Sequence, residues 1–167
     1  MASGRPTDMR ADTVSPEAFL ELGRQVLANQ PFSVLLGAEL LALSPGRCEL
    51  GLALTPQLRQ QHGFAHGGVV SYLADNALTY AGGTAMQVPV VTSEFKVNYL
   101  RPAVGERLVA RAEAVHHGKN QAVCRCEVYA VQGGQEKLCA VAQGTIAALP
   151  AGAPKADAPL AAAASAD

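Results

Sequence analysis

The residues with the greatest chemical capacity in this 167-residue chain lie together in one short segment, residues 60–68, which leads into a long helical pattern. The segment holds two histidines and ends in a pair of glycines, Gly67 and Gly68, at the predicted start of the helix. The first turn of a helix leaves N–H groups unpaired at the positive end of the helix dipole, and glycine lets a ligand approach them. The segment therefore predicts a site that holds a carbonyl or an oxyanion, with a tight strand-to-helix corner as the alternative.

A single carboxylate, Asp75, lies on the same predicted helix. On a helical wheel it falls well away from the aliphatic arc, beside Ser71 and Thr79. No other carboxylate or lysine occurs between Arg59 and Glu94. Such a face would be solvated in a monomer, but its scarcity of charge favours contact with a second subunit. Asp75 would then lie in a partly dry cleft, where a carboxylate can act as general base or nucleophile.

Composition argues against several other classes of function. Thirteen Lys and Arg residues against fourteen Asp and Glu residues leave a net charge of −1, so nucleic acid is not an expected partner. The polar N-terminus lacks an apolar signal segment, which predicts a cytoplasmic protein, and the longest stretch without charged residues apart from histidine, residues 76–93, is too rich in glycine and polar groups for a membrane span. The four cysteines form no Cys-x-x-Cys pair and neither His62 nor His66 lies in a metal-ligand cluster, so we expect reduced, packed cysteines and no metal.

The first elements predicted along the chain are a helix and a β-hairpin. Ser15-Pro16-Glu17 has the composition of a helix N-terminus, and the helix is expected to continue to about Asn29, with Pro31 ending it. β-like runs begin at Val34, and Ser44-Pro45-Gly46 separates the two strands of the hairpin.

A second, longer helix and another strand follow the hairpin. The apolar periodicity predicts a helix from Gly67 to about Ala81, just before a pair of glycines. In the next segment, residues 91–100, strict alternation predicts a strand with Phe95 on its buried face and Thr92 on the opposite face.

The order of the elements predicts an α+β fold in which an antiparallel sheet carries its long helix on one face. The last three strands are joined through residues 117–120 and 132–135, which have hairpin-turn composition. A single domain is expected over residues 15–149, between a flexible N-terminus, residues 1–14, and a disordered Ala- and Pro-rich tail, residues 150–167.

Two sequence blocks resemble a known family. Residues 62–77 contain His-Gly-Gly and, after six intervening residues, an aspartate; residues 92–106 contain Phe-Lys-Val-Asn-Tyr-Leu-Arg-Pro-Ala. Both blocks are similar to those of the hotdog-fold acyl-CoA thioesterases. The resemblance is greatest to the phenylacetate-pathway (PaaI-like) branch of the 4-hydroxybenzoyl-CoA thioesterase superfamily, and it covers roughly residues 34–148. The two blocks at this spacing are far more specific than either alone.

The resemblance implies a hotdog fold, in which the antiparallel sheet wraps around a long central helix. It also implies hydrolysis of an acyl-CoA thioester to a carboxylate and free coenzyme A, with no cofactor, since coenzyme A is part of the substrate. Proteins of this type build each site between two subunits of a homodimer, and homotetramers made from two dimers are common in this branch.

Three residues take central roles by the resemblance. The backbone N–H of Gly67 would polarise the thioester carbonyl and hold its developing negative charge. Asp75, on the helix of the facing subunit, would activate water or attack directly. Thr92, at the family's hydroxyl position, would help to orient that water.

For the residues around the glycine pair, the resemblance leaves more than one role open. Gln60 stands where the family often has asparagine, so either Gln60 keeps the amide role or Gln61 or His62 takes it. His66 is expected either in catalysis or as a helix cap. Gly68 and His62 are expected to contact the substrate or coenzyme A.

Recognition of coenzyme A requires cations near its phosphates, and Lys96, Arg101 and Lys119 are candidates by similarity, with ordinary surface charge as the alternative. The acyl pocket is expected near the central helix. The candidate lining residues of this pocket are Phe64, Tyr72, Leu78 and Tyr80. For the two tyrosines, packing in the core is the alternative.

The sequence leaves two alternative functions for the same fold. A non-catalytic acyl-CoA-binding or regulatory protein is the main alternative, because a fold does not fix a function; the presence of Asp75 argues against it. An enoyl-CoA hydratase would need an Asp and His acid/base pair, which the sequence does not offer. The acyl group stays open among phenylacetyl, hydroxybenzoyl and medium-chain groups.

Overall fold

The computed structural model of the protein describes residues 15–150. The predictions of a flexible N-terminus and a disordered tail fall on residues outside this range, apart from Pro150. In chain order, the helices and strands are α1 (Pro16–Ala28), α2 (Pro31–Leu36), β1 (Ala38–Ser44), β2 (Arg47–Ala53), α3 (Gly67–Met86), β3 (Val90–Tyr99), β4 (Arg107–His117), β5 (Gln121–Gln132) and β6 (Gln135–Ala148), with a short 3₁₀ turn at Pro56–Leu58.

The six strands form one antiparallel sheet in the order β1-β2-β4-β5-β6-β3, and α3 packs against it. Leu73, Ala77 and Leu78 of α3 are fully buried, as are Leu50 and Leu108 of the sheet. The apolar arc of the helix therefore faces one side of the sheet, as the periodicity predicts. The predicted α+β architecture, with both hairpin turns, is confirmed.

The N-terminal helix begins as predicted and packs on the sheet edge. The Ser15 side chain accepts a hydrogen bond from the N–H of Ala18 at 3.2 Å, which caps the helix. At Gly23 a β-carbon would come within 2.6 Å of Leu40 and Leu43, so the absence of a side chain lets α1 approach β1 closely.

Pro31 does not simply end the helical region. It is the first residue of a second helix, α2, because proline is well suited to the first helical position. This helix ends at Gly37, whose φ is 72°, a conformation that favours glycine. The strand expected from Val34 therefore starts only at Ala38.

The central helix is longer than predicted, because the glycines after Ala81 lie inside it. The helix continues to Met86 and ends at Gln87 in a left-handed conformation. A β-carbon at Gly82 would lie 2.7 Å from Cβ of Ile146. This glycine therefore serves close packing of helix against β6, and its low helix propensity is overridden.

The described cysteines are free and buried, as predicted. Burial raises the pKa of Cys124 to about 11 and that of Cys126 to about 12, so these thiols stay protonated and pack as small apolar groups. Among residues 15–150, no helix combines the length and hydropathy needed to cross a membrane.

Candidate active site

Asp75 lies half-buried on α3 and is held by a threonine from the sheet. The hydroxyl of Thr92 donates to Asp75 Oδ1 at 2.7 Å. Thr79 Oγ1 lies 2.9 Å from Thr92 Oγ1 and 2.9 Å from the backbone oxygen of Asp75. The second carboxylate oxygen receives no hydrogen bond from residues 15–150. One oxygen of Asp75 is therefore fixed, and the other is available to a water molecule.

A β-bulge brings Thr92 to Asp75. The register between β3 and β6 shifts between Thr92 and Glu94, so one extra residue is inserted and the alternation of faces resets there. Thr92 and Phe95 consequently both face α3, and the prediction that they lie on opposite faces is wrong. The correction favours the expected role of Thr92, because without the bulge the hydroxyl would point away from Asp75.

The start of α3 presents one free backbone donor. His66 is the N-cap residue, and its Nδ1 accepts the N–H of Gly68 at 3.0 Å. The N–H of Gly67 has no acceptor among residues 15–150, while its carbonyl accepts from the Tyr99 hydroxyl at 3.0 Å. His66 therefore acts as a helix cap, the second of its two predicted roles, and a direct catalytic role for it stays a prediction. Gly67, rather than Gly68, offers the free N–H.

Gln60 closes the loop that precedes the helix. Its side-chain oxygen accepts the N–H of His62 at 2.8 Å, and its backbone N–H donates to the carbonyl of Phe64 at 2.9 Å. Arg59, which the sequence analysis did not single out, donates to the carbonyls of Gly63 and Gly105 at 2.9 Å each. These bonds fix the loop against the rest of the fold.

A cavity of about 490 Å³ lies beside Gly67. Gln60 and Phe64 from the loop, Tyr99 and Arg101 from the end of β3, and Gly67 itself line it. The structure thus brings together three of the residues predicted for catalysis and coenzyme A binding, Gln60, Gly67 and Arg101.

A single chain does not bring Asp75 to this cavity. Asp75 is eight residues after Gly67 on a continuous helix, which separates their backbones by about 12 Å. A carbonyl bound at the Gly67 N–H cannot also contact Asp75 of the same chain.

The three predicted cations are also apart in one chain. Arg101 follows the end of β3, whereas Lys119 precedes Asn120, whose carbonyl accepts from Ala148 N–H beside the start of β3. The ten residues of β3 span about 30 Å. Lys96 is exposed between two residues that pack toward the core, so it lies on the outer face of the sheet.

The predicted acyl-pocket tyrosines serve the packing of the N-terminal helices. The Tyr72 hydroxyl donates to Ser33 Oγ at 2.7 Å, and Tyr80 donates to the carbonyl of Gly23 at 3.0 Å. Leu78 is fully buried. Of the four candidates, Phe64 lines the cavity beside Gly67. Tyr72 packs against α2, whereas Tyr80 lines a separate groove between α1 and α3.

Sequence reasoning missed Thr79 as a member of the site. The signal was present, since Thr79 lies four residues after Asp75 on the same helix face, but nothing local indicated that it would meet Thr92. Among residues 15–150, no three His, Cys, Asp or Glu residues are clustered as metal ligands would be.

Comparison with known proteins identifies the family. Residues 62–137 match the family model described as the thioesterase superfamily. A solved thioesterase family protein from Silicibacter pomeroyi has 43% sequence identity and a TM-score of 0.73, over 75% of this chain and 94% of that one. A putative esterase of Deinococcus radiodurans is 33% identical over 69% of this chain and 77% of the relative. The acyl-coenzyme A thioesterase PaaI of Escherichia coli is 29% identical over 70% of this chain and 81% of the relative.

The chain belongs to the thioesterase superfamily. The predicted family resemblance and the hotdog fold are confirmed, and the protein is a thioester hydrolase.

Proposed function

We propose that the protein hydrolyses acyl-CoA thioesters as a homodimer, with Asp75 of one subunit acting on a thioester held by Gly67 of the other. The observation that carries the proposal is the pairing of a free N–H at the start of α3 with a fixed carboxylate about two helical turns away. Each chain therefore supplies half of two sites. The name of the Escherichia coli relative, an acyl-coenzyme A thioesterase, supports coenzyme A as the thiol.

The unpaired edge of the sheet supports a dimer. β3 is an edge strand, and an uncovered edge invites pairing with another strand. Val91, Tyr99 and Leu100, on and next to β3, are 46%, 53% and 49% exposed. Pairing of two β3 edges would cover this apolar surface. Assembly of two dimers into a tetramer and a cytoplasmic location stay predictions.

In the proposed mechanism, the Gly67 N–H and the helix dipole behind it polarise the thioester carbonyl. The free oxygen of Asp75 takes a proton from a water molecule as that water attacks the carbonyl carbon, and Thr92 holds the other carboxylate oxygen in place. The resulting tetrahedral oxyanion collapses, the carbon–sulfur bond breaks, and the thiolate of coenzyme A leaves. Arg101, at the rim of the cavity beside Gly67, is the best-placed cation for the phosphates in the subunit that contributes the glycine.

The experiment that tests the activity is release of free thiol from a panel of acyl-CoAs by wild type and Asp75→Asn. The substitution keeps the shape and removes the base, so we expect turnover to fall by about 10²-fold or more with the fold intact. Unchanged turnover would exclude Asp75 from the mechanism. No hydrolysis by wild type, with tight acyl-CoA binding by calorimetry, would favour the binding protein.

The shared site is tested by mixing two inactive chains. Gly67→Pro removes the N–H at the first helical position, where proline fits, while Asp75→Asn leaves that N–H in place. A mixed dimer has one intact site, so random reassociation of equal amounts should restore about a quarter of wild-type activity. If both groups of a site came from one chain, mixing would restore none.

A single turnover in ¹⁸O-labelled water distinguishes the two roles of Asp75. With Asp75 as general base, the label enters the product carboxylate in the first turnover. With Asp75 as nucleophile, the label enters the Asp75 carboxylate first, because water opens an anhydride there. Mass spectrometry of the product and of the peptide that contains Asp75 separates these outcomes.

A further inference from the structure

An apolar groove follows the surface of α3 from Thr79 to Thr84. Its volume is about 460 Å³, within the range of small-molecule sites. α1 forms one wall, the segment before β3 and its first residue form the other, and Gly83 lies on the floor. The lining side chains from α1 include Phe19, Leu22 and Val26.

The groove begins next to the proposed catalytic carboxylate. Thr79 lines the groove and is also the residue whose hydroxyl contacts Thr92, which in turn donates to Asp75. Asp75 is one helical turn, about 6 Å, before this end of the groove. A thioester carbon held at Asp75 can therefore direct its acyl group along the helix into the groove.

The polar side chains in the deeper part of the groove already have hydrogen-bond partners. The Tyr80 hydroxyl donates to the carbonyl of Gly23, and the Thr84 hydroxyl donates to the carbonyl of Tyr80 and accepts from Gly46 N–H. The side-chain oxygen of Gln30 accepts from Ser33 and Asn76. The amide NH₂ group of Gln30 has no acceptor among residues 15–150, but the contact with Asn76 places Gln30 toward the Asp75 end of the groove and not in its deeper part. No charged side chain lines the groove among residues 15–150.

These observations define the ligand chemistry. A hydroxyl or charged substituent placed deep in the groove would lose its water without gaining a partner, which is costly. A hydrocarbon chain gives up no hydrogen bonds to water when it enters the groove. It also covers exposed apolar surface, since Leu22 is 53% exposed, Val26 55% and Val88 41%. The distance from Asp75 to Gly83, about 12 Å along the helix, suits an extended chain better than a compact ring.

We infer that the groove between α1 and the C-terminal half of α3 binds the acyl chain of the substrate, and that it selects an unsubstituted aliphatic acyl group of medium length. The inference rests on the proposed acyl-CoA hydrolysis and assigns its substrate class. Leu22 and Val26 are then specificity-determining residues on a helix that contributes nothing to the reacting atoms.

The first test is the dependence of kcat/KM on chain length with butanoyl-, hexanoyl-, octanoyl- and decanoyl-CoA. We expect wild type to gain up to about fourfold per methylene until the groove is filled. Val26→Trp and, independently, Leu22→Trp should lower the ratio of octanoyl to butanoyl kcat/KM by about tenfold or more, because the indole occupies the groove. Both wild-type side chains are over half exposed, so the folded chain can accommodate either substitution.

The matched control is Gln25→Trp, which adds the same indole to the exposed outer side of α1, away from the groove. Its chain-length profile should equal that of wild type. Equal profiles for all four proteins would overturn the inference, as would a wild-type preference for 4-hydroxybenzoyl-CoA over octanoyl-CoA. A changed oligomeric state in light scattering of Val26→Trp would also overturn it, by showing that a second subunit fills the groove.

A binding measurement separates this inference from the proposed reaction. The chain contains no tryptophan, so the indole of Val26→Trp is a unique fluorescent reporter in the groove. Octyl-CoA thioether, which cannot be hydrolysed, should change its emission, whereas free coenzyme A should not, and Gln25→Trp should respond to neither. An identical response to both ligands would place the acyl chain elsewhere even if hydrolysis is observed. If wild type does not hydrolyse acyl-CoAs but the thioether-specific response is intact, the proposed reaction is wrong and the assignment of the groove to the acyl chain still holds.

Discussion

Within residues 15–150, charged side chains form ion pairs on the outer face of the sheet, whereas Asp75 on the inner side does not. On the outer face, Arg111 bonds to Glu136 at 2.7 Å and to Glu49 at 3.1 Å, and its guanidinium lies 5.0 Å from the ring centre of Tyr129. On the inner side, the Asp75 carboxylate accepts a hydrogen bond from the Thr92 hydroxyl, and no cation of residues 15–150 pairs with it. Charges that stabilise are paired, while the carboxylate proposed to react keeps one oxygen free.

Charged groups on the two faces contribute to different properties of the protein. The outer pairs are partly exposed, and exposed ion pairs contribute little because water screens them. Asp75 is half-buried beside a charge-poor helix face, where its charge would interact more strongly with the charge that develops in the proposed reaction. Substitutions on the two faces should therefore separate activity from stability.

The largest effect is expected at Gly67. Gly67→Pro should lower kcat by about 10²–10³-fold, because it removes the one donor proposed to stabilise the oxyanion. Gly67→Ala keeps that N–H, and its new methyl group would meet the Tyr99 hydroxyl at an ordinary 3.5 Å. Thiol-release kinetics of the two variants distinguish loss of the N–H from a steric effect. Equal losses of kcat in both variants would mean that the site requires the small size of glycine and not its N–H.

A smaller effect is expected at Thr92. Thr92→Val keeps the shape but removes the hydrogen bond to Asp75 Oδ1, and about a tenfold loss of kcat is expected with little change in KM. Thr92→Ser restores the hydroxyl and should recover most of the activity. A serine variant as impaired as the valine variant would show that the methyl group, and so packing, is what Thr92 contributes.

The smallest effect is expected on the outer face and should appear only in stability. The hydrogen bond from Arg111 lowers the pKa of the Glu136 carboxyl below its ordinary value. A lowered folded-state pKa adds stability above the ordinary pKa of glutamate, and that stability is lost as the pH falls through the folded-state value. Both side chains are more than a third exposed, so Glu136→Gln should cost about 0.5–1 kcal/mol at neutral pH.

The measurement is urea unfolding of wild type and Glu136→Gln at neutral and acidic pH. The difference in free energy of unfolding should shrink as the pH drops below the ordinary range of glutamate, and kcat at neutral pH should be unaffected. A loss of activity in this variant would mean that the outer face also contributes to the site, and the contrast between the faces would fail.

Much of the fold could be predicted because its signals are local. The Ser15 cap, the apolar arc of α3 and the turn residues of the hairpins each act within a few positions, and all three predictions are confirmed. The errors came from competition between local and distant interactions. Gly82 and its neighbour were expected to end α3, but close packing against Ile146 requires glycine there.

The site was predicted in part for the same reason. Gly67 and Asp75 follow from a motif on one helix, and within residues 15–150 the N–H of the first and one carboxylate oxygen of the second have no hydrogen-bond partner. The direction of Tyr72 toward Ser33 depends on α2, a helix that the sequence analysis did not predict. The local sequence around a side chain does not show which residue of another helix or strand that side chain will contact.

By itself the sequence determined which groups are available and which elements carry them, because periodicity, capping and turn residues act over a few neighbouring positions. Only the tertiary structure decided which groups meet. Thr92 reaches Asp75, seventeen residues away, because a one-residue bulge turns it toward α3, and the groove exists because α1 lies beside α3. Both depend on packing between distant segments, for which no local pattern is sufficient.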